Sequence, residues 1–160
     1  MPLTNPQKNV IHNDARFRVL ITGRRFGKTF LAINELAKFA SNPNKKIWYV
    51  APSYRQAKAI CWGVLKEKMI YHKWVKSINH SEITLRGSDN ESSLRGVGLN
   101  FLILDEFQDI NKTAWYEVLR PTLSDTEGHA LFCGTPRGFG NWSYDLYKMG
   151  ENNKDWKSFQ

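Results

Sequence analysis

The sequence predicts an α/β fold with a mostly parallel central sheet and helices on both faces. Short apolar runs alternate along the chain with longer segments in which apolar residues recur at helical spacing, and this alternation is typical of βαβ units. The chain has 160 residues, of which 41% are hydrophobic and 13% aromatic. It can therefore bury one sizeable core as a single domain, and its composition excludes a disordered protein.

The first half of the chain contains two predicted strands and two predicted helices. Residues 17–21 form an apolar run that leads into glycines, and residues 29–40 carry apolar side chains at helical spacing. After the polar break at residues 41–44, the run 47–50 predicts a second buried strand. The second helix is predicted from residues that share one face: Ala57, Ile60, Cys61, Val64 and Leu65.

The second half has weaker patterns at first. Four short apolar runs predict strands, at residues 74–78, 83–85, 101–104 and 130–133. Residues 87–98 form a polar loop punctuated by glycines. Two helices are predicted, one over 113–119 with Asn111 as its N-cap and one over 142–147. A polar tail is predicted after the last helix.

The net charge of +8 is unevenly distributed. Residues 1–76 contain 15 Lys and Arg against three acids, whereas residues 77–160 contain eight against 12. A basic half suits a polyanionic partner, nucleic acid above all. The alternative is a well-solvated surface that also carries the charge needed to bind one triphosphate.

Membrane insertion, secretion and metal-thiolate chemistry are not expected. No apolar stretch approaches the roughly 18 residues of a membrane helix, and the polar start of the chain does not resemble a signal peptide. Cys61 and Cys133 each lie in an apolar segment, which predicts buried reduced thiols rather than a disulfide or a metal site.

A phosphate-binding loop is predicted between residues 17–21 and the helix that follows. The segment from Thr22 to Thr29 contains Gly23 and Gly27, and a glycine turn before a helix directs backbone N–H groups at an anion. Lys28 would reach the terminal phosphates of a nucleotide, and the Thr29 hydroxyl would ligate Mg²⁺. The common pattern has glycine where this chain has Thr22, so the loop is a variant. The alternative is a basic turn that caps a helix.

Two arginines and a phenylalanine complete this loop. Arg24 is predicted to lie against the phosphates and to stabilise charge in the transition state. Arg25 and Phe26 are included among the nucleotide-binding residues, although the role of Arg25 is open. Alternatively, one of the arginines faces solvent or pairs with a neighbouring carboxylate.

Asp105 and Glu106 directly follow the apolar run 101–104. A buried strand that ends in two adjacent carboxylates suits ATP hydrolysis, because Asp105 can hold Mg²⁺ while Glu106 orients and deprotonates the attacking water. The alternative is an acidic pair that caps the following turn. Asp109 is a weaker candidate, since acids are common in the turn before a helix. With the phosphate loop, the pair predicts a P-loop NTPase.

Two further residues are candidates for contact with the nucleotide. Thr135 follows the apolar run 130–133 and should emerge at the same sheet edge as the other groups. There it could sense the γ-phosphate, although a simple Gly-Pro turn would look the same. Gln7 precedes the first strand and could read the adenine edge with its amide.

In combination these segments resemble the ATPase domain of the large terminase subunit of tailed bacteriophages. The resemblance spans nearly the whole chain, and the missing first glycine of the phosphate loop is usual in that family. The segments that carry it are, in order, the loop from Gly23 to Thr29 and residues 48–57, 88–90, 93–96, 104–107, 115, 119–123, 134–138 and 144–147.

The resemblance implies an additional-strand catalytic-glutamate P-loop NTPase that uses ATP and Mg²⁺ to package viral DNA. It implies that Lys28 and Thr29 bind phosphate and Mg²⁺, that Asp105 is the metal carboxylate and that Glu106 is catalytic. Arg24 matches the family's loop arginine, Gln7 its adenine-contacting glutamine, and residues 134–136 its coupling motif. The implied partners are double-stranded DNA, the portal ring, the small terminase subunit and a homo-oligomeric ring in the host cytoplasm.

Residues 1–160 are expected to form one ATPase domain, the N-terminal part of a longer chain. The family continues into an RNase H-like nuclease domain, so these residues are not expected to cut DNA. Three alternatives remain at this stage. They are a fragment of a superfamily-one-like helicase, which shares the pattern at residues 105–109, a nucleotide-binding assembly protein without turnover, and a truncated product without independent activity.

Overall fold

The computed structural model describes residues 2–71 and 80–160, which form a six-stranded sheet. The strands are β1 Phe17–Ile21, β2 Lys46–Ala51, β3 Glu82–Gly87, β4 Phe101–Asp105, β5 His129–Gly134 and β6 Trp156–Phe159. Their order in the sheet is β3-β2-β4-β5-β1-β6, and all five pairings are parallel. The α/β fold with a mostly parallel sheet is therefore confirmed.

Helices cover both faces of the sheet, as the sequence predicts. They are α1 Asn5–Ile11, α2 Lys28–Ala40, α3 Tyr54–Tyr71, α4 Arg120–Thr122, which continues a π-helical turn at Ala114–Leu119, and α5 Trp142–Asn152. One hydrophobic core packs α1, α2 and α3 against the sheet. The other packs the π-helical turn and α5 against the opposite face. Each strand between them is buried on both sides, which explains the uninterrupted apolar runs.

Two of the sequence-based predictions about the chain's outer elements are wrong. The predicted polar tail contains β6, which pairs in parallel with β1, and its Trp156 is buried in the second core. On α3, Ala57, Cys61 and Leu65 are buried, but Ile60 and Val64 are exposed. This helix rests on the domain along a narrow stripe at intervals of four residues, so the wider apolar face is not used.

Several local predictions can be scored directly. The Asn111 side-chain oxygen accepts the Thr113 backbone N–H at 3.1 Å, which confirms the predicted N-cap. Residues 87–98 contain a 3₁₀ turn at Glu91–Leu94 that the sequence did not predict. Helix α1 was not predicted either. The predicted strand at 74–78 lies outside the described residues.

Both cysteines are free and buried, as predicted. Burial raises the pKa of Cys61 to about 12 and that of Cys133 well above its usual range, so both thiols stay protonated at neutral pH. Across residues 2–71 and 80–160, no helix combines the length and apolar character of a membrane span.

Candidate functional site

Three neighbouring strands deliver the predicted site residues to one edge of the sheet. β4, β5 and β1 are adjacent, and because they are parallel their carboxyl ends lie side by side. The loop after β1 is tied to the end of β5 by a hydrogen bond from the Thr22 N–H to the Gly134 carbonyl, at 3.1 Å. The phosphate loop, the two acids after β4 and Thr135 after β5 are therefore brought together.

The phosphate loop has the backbone of an anion-binding turn. Gly27 is the N-cap of α2 and has φ 85°, a left-handed conformation that glycine adopts without strain. A Cβ at Gly27 would lie 2.7 Å from Gln7 Nε2, so a side chain is excluded here. Arg25 also has a positive φ, of 72°. The start of α2 is thereby left free to direct its backbone N–H groups and its dipole at a phosphate.

Gln7 lies against the phosphate loop and is buried. Its Nε2 donates to the Phe26 carbonyl at 2.8 Å, and its Oε1 accepts the Thr4 N–H at 3.0 Å. These bonds link α1 to the loop. One N–H and one lone pair of the amide are left for another partner, so contact with adenine stays a prediction.

Lys28 contacts the groups on either side of the loop. Its Nζ donates to the carbonyls of Thr22 and Gly23 at 3.3 and 3.4 Å and to the Thr135 hydroxyl at 3.3 Å. Thr29 follows in the first turn of α2 and is partly buried. Gly23, Arg24 and Arg25 lie at the loop surface, and Phe26 packs against the first core.

Asp105 ends β4 and is only 2% exposed. Its Oδ1 accepts the Glu106 N–H at 3.1 Å, and its Oδ2 accepts the Tyr49 hydroxyl. Burial raises the pKa of this carboxyl, an effect that the Tyr49 hydrogen bond and the charge of Lys28 oppose. The resulting group is a buried hard-oxygen ligand that would be stabilised by a cation.

Glu106 is held in a left-handed conformation with φ 49° and ψ 43°, which is uncommon for a residue with a side chain. Its Oε2 accepts two hydrogen bonds, from Gln108 Nε2 at 2.6 Å and from the Thr135 hydroxyl at 3.3 Å. Since Thr135 also accepts from Lys28, one hydroxyl joins the phosphate-binding lysine to the candidate catalytic carboxylate.

Asp109 is less central than the other acids. It is exposed and pairs with Arg137 across a distance of 3.0 Å, and Arg137 is 58% exposed. A solvent-exposed pair of this kind contributes little to stability. The pair does join the turn after β4 to the segment after β5.

Two residues of the site were missed by the sequence reasoning. Tyr49 reaches Asp105 from β2, and Gln108 reaches Glu106 from the turn after β4. A tyrosine in a buried strand needs a partner for its hydroxyl, which was a usable signal. Gln108 gave none by itself, because its contact with Thr135 depends on β4 and β5 being neighbours.

Known proteins with the same fold include large terminases. The large terminase ATPase domain of Thermus phage P74-26 is 28% identical and has a TM-score of 0.87, over 99% of this chain and 80% of that one. The terminase large subunit of Escherichia phage T5 is 33% identical over 148 residues, which are 84% of this chain and 33% of that protein. The large terminase of another thermophilic bacteriophage, in complex with ATP-γ-S, has a TM-score of 0.75 over 99% of this chain and 44% of that one; at 13% identity it shows the fold alone.

The chain spans about a third of the length of the curated relatives it matches. Residues 19–158 match the family model described as terminase large subunit, T4likevirus-type, N-terminal, so the match includes β1, the phosphate loop, both acids and Thr135. It favours the terminase interpretation over the helicase alternative. The chain therefore belongs to the T4likevirus-type terminase large subunit family, as an N-terminal region of that family.

Proposed function

We propose that this chain is a Mg²⁺-dependent ATPase that drives translocation of double-stranded DNA during viral genome packaging. The observation that carries the proposal is the contact of Thr135 with both Lys28 and Glu106. A phosphate-binding cation and a carboxylate at hydrogen-bonding distance from one hydroxyl suit binding of a triphosphate with a water beside it. The likeness to a solved large terminase ATPase domain supports the same activity.

The protein groups would share the work of hydrolysis. Backbone N–H groups at the start of α2 and Lys28 would bind the phosphates, with Gly23 to Thr29 and Gln7 forming the nucleotide site. Glu106 would orient the attacking water and accept its proton. Arg24, exposed on the loop, would stabilise charge that develops on the transferred phosphoryl group. Thr135 would sense whether the γ-phosphate is present.

The oxygen donors of Thr29 and Asp105 fit Mg²⁺. The Asp105 carboxylate is buried and hydrogen-bonded by Tyr49 and by the Glu106 N–H, so its orientation is fixed, as a metal ligand needs. Carboxylate and hydroxyl oxygens are the ligands this ion prefers. When bound, Mg²⁺ would neutralise charge on the phosphates.

Metal removal tests the proposal at its simplest. ATP turnover by the purified chain is expected with Mg²⁺ and to be lost in excess EDTA, because the phosphate charge would no longer be neutralised. Phosphate release measured before chelation, after chelation and after restoring Mg²⁺ gives the answer. No turnover under any of these conditions would favour a nucleotide-binding protein without turnover, or a product without independent activity.

The basic half of the chain offers an exposed surface for DNA on α3. Arg55, Lys58, Trp62 and Lys66 are exposed, and their spacing places them along one stripe of the helix. Lys66 Nζ lies 5.5 Å from the centroid of the Trp62 ring. Positive charges beside an exposed aromatic ring suit a nucleic-acid backbone.

Duplex affinity is therefore expected to fall steeply as salt rises. Replacing Lys58 and Lys66 with Ala should weaken binding and reduce the slope of log affinity against log salt by about two, because each phosphate contact contributes roughly 0.9. Fluorescence anisotropy with a labelled duplex measures both quantities. Lys154→Ala, an exposed lysine in the acidic half, is the matched control. A flat salt response would indicate that the charge only solvates the surface.

The remaining assignments extend from the family. We propose that the chain acts in the host cytoplasm within a homo-oligomeric ring, with the portal ring and the small terminase subunit as partners. We further propose that residues 1–160 are a single ATPase domain of a longer large subunit. DNA cleavage would then belong to a nuclease domain outside these residues.

A further inference from the structure

We propose that Gln108 is a positioning residue for catalysis, which ties the carboxylate of Glu106 to the main chain at Thr135. The inference rests on the proposed ATPase function and adds a residue to its machinery. Gln108 is only 5% exposed, and it lies in the 3₁₀ turn Phe107–Asp109 that directly follows Glu106.

The two ends of the Gln108 amide face different strands. Its Nε2 donates to Glu106 Oε2 at 2.6 Å, and its Oε1 accepts the Thr135 N–H at 3.1 Å. The first bond is charge-assisted and much shorter than the 3.3 Å bond from the Thr135 hydroxyl to the same oxygen, so Gln108 is the stronger of the two holds on this carboxylate. Nε2 also lies 3.2 Å from Asp109 Oδ2.

The surroundings leave Gln108 little freedom to move. A Cβ at Gly134 would lie 2.6 Å from both Gln108 Oε1 and a ring carbon of Phe107, so the end of β5 packs directly on the amide. The Gln108 carbonyl accepts from Asn141 Nδ2 at 3.0 Å. Asn141 in turn caps α5, where its side chain accepts the Ser143 N–H at 2.9 Å.

These contacts make the position of Glu106 depend on the segment after β5. Lys28 contacts the Thr135 hydroxyl, so a phosphate that engages Lys28 and Thr135 would shift the Thr135 main chain. Gln108 would pass that shift to the Glu106 carboxylate through a bond at each end of its amide. The proton acceptor would then be aligned with its water only when the Thr135 segment is in its phosphate-bound position.

The test compares two substitutions that separate positioning from packing. Gln108→Met keeps the length and burial of the side chain and removes both hydrogen bonds. Gln108→Glu keeps an acceptor for the Thr135 N–H but places a carboxylate oxygen against Glu106. We expect both to lower kcat by about tenfold to a hundredfold, with KM and the Kd of a fluorescent ATP analogue within about threefold of wild type.

Asn141→Ala is the matched control, because it loosens the same turn without touching Glu106. It should lower Tm and leave kcat within about threefold. Wild-type kcat in Gln108→Met would overturn the inference, as would wild-type kcat in Gln108→Glu with loss only in Gln108→Met, since the role would then be to pair the Thr135 N–H. A Kd that weakens in step with kcat would also count against it. If Gln108→Met does not fold, as judged by its thermal melt, Gln108→Glu decides. An inactive wild-type chain would contradict the proposed function instead.

Discussion

Glu106→Gln should bind ATP as wild type does and hydrolyse it about a hundredfold to ten-thousandfold more slowly. The amide has the same shape as the carboxylate, so its oxygen can still accept the short hydrogen bond from Gln108, and the left-handed backbone at this position is unaffected. What is lost is the group that accepts a proton from water, and general-base catalysis is typically worth a factor of that size. Steady-state phosphate release and calorimetric titration with ATP measure the two quantities.

Glu151→Gln provides the control for a carboxylate lost elsewhere. Glu151 lies on α5 and makes an exposed pair with Lys148, which contributes little to stability. Its turnover should match wild type. If Glu106→Gln hydrolyses ATP at a rate close to wild type, Glu106 is not the base, and the acid pair would instead be a cap on the turn after β4.

Lys28→Ala is expected to act earlier, on nucleotide binding itself. The lysine donates to Thr22, Gly23 and Thr135 at the mouth of the loop, and a hydrogen bond to a charged partner is worth about 1.5–3 kcal/mol. The Kd for ATP should therefore rise roughly tenfold to a hundredfold, and turnover should fall as well. The same calorimetric titration measures the affinity.

The control for Lys28 is a lysine at the opposite edge of the sheet. Lys46 is exposed at the start of β2, whereas the site lies at the carboxyl ends of the strands. Lys46→Ala should bind ATP with wild-type affinity. An unchanged Kd in Lys28→Ala would remove the loop from phosphate binding and support the alternative of a basic turn that caps a helix.

Local patterns were enough to predict the elements that carry the site. The strand before the phosphate loop and the strand before Asp105 are buried on both faces, so their sequences are continuous apolar runs with sharp ends. Parallel strands must then end together, and this alone predicted that Lys28, Glu106 and Thr135 would lie close. The structure places the Thr135 hydroxyl within hydrogen-bonding distance of both Lys28 and Glu106.

What the sequence could not predict depends on pairing between distant segments. β6 has four residues, with exposed Lys157 beside buried Trp156, and becomes a strand because β1 is available at its side. The contact of Gln108 with Thr135 requires β4 and β5 to be neighbours, and their order in the sheet is not written in either segment. On α3, Ile60 and Val64 fit a helical face by spacing, but spacing does not tell how wide the buried stripe will be.

The placement of β1 between β5 and β6 gives the molecule a fixed jaw and a movable one. The strand that leads into the phosphate loop is clamped by a ladder of hydrogen bonds on each edge, so it works as an anvil against which a phosphate can push. The segment from Thr135 to Asn141 has no such ladder, and it includes Phe139, which is 82% exposed. Recoil from the phosphate would leave the anvil still and travel along this segment, as a short stroke delivered at the surface.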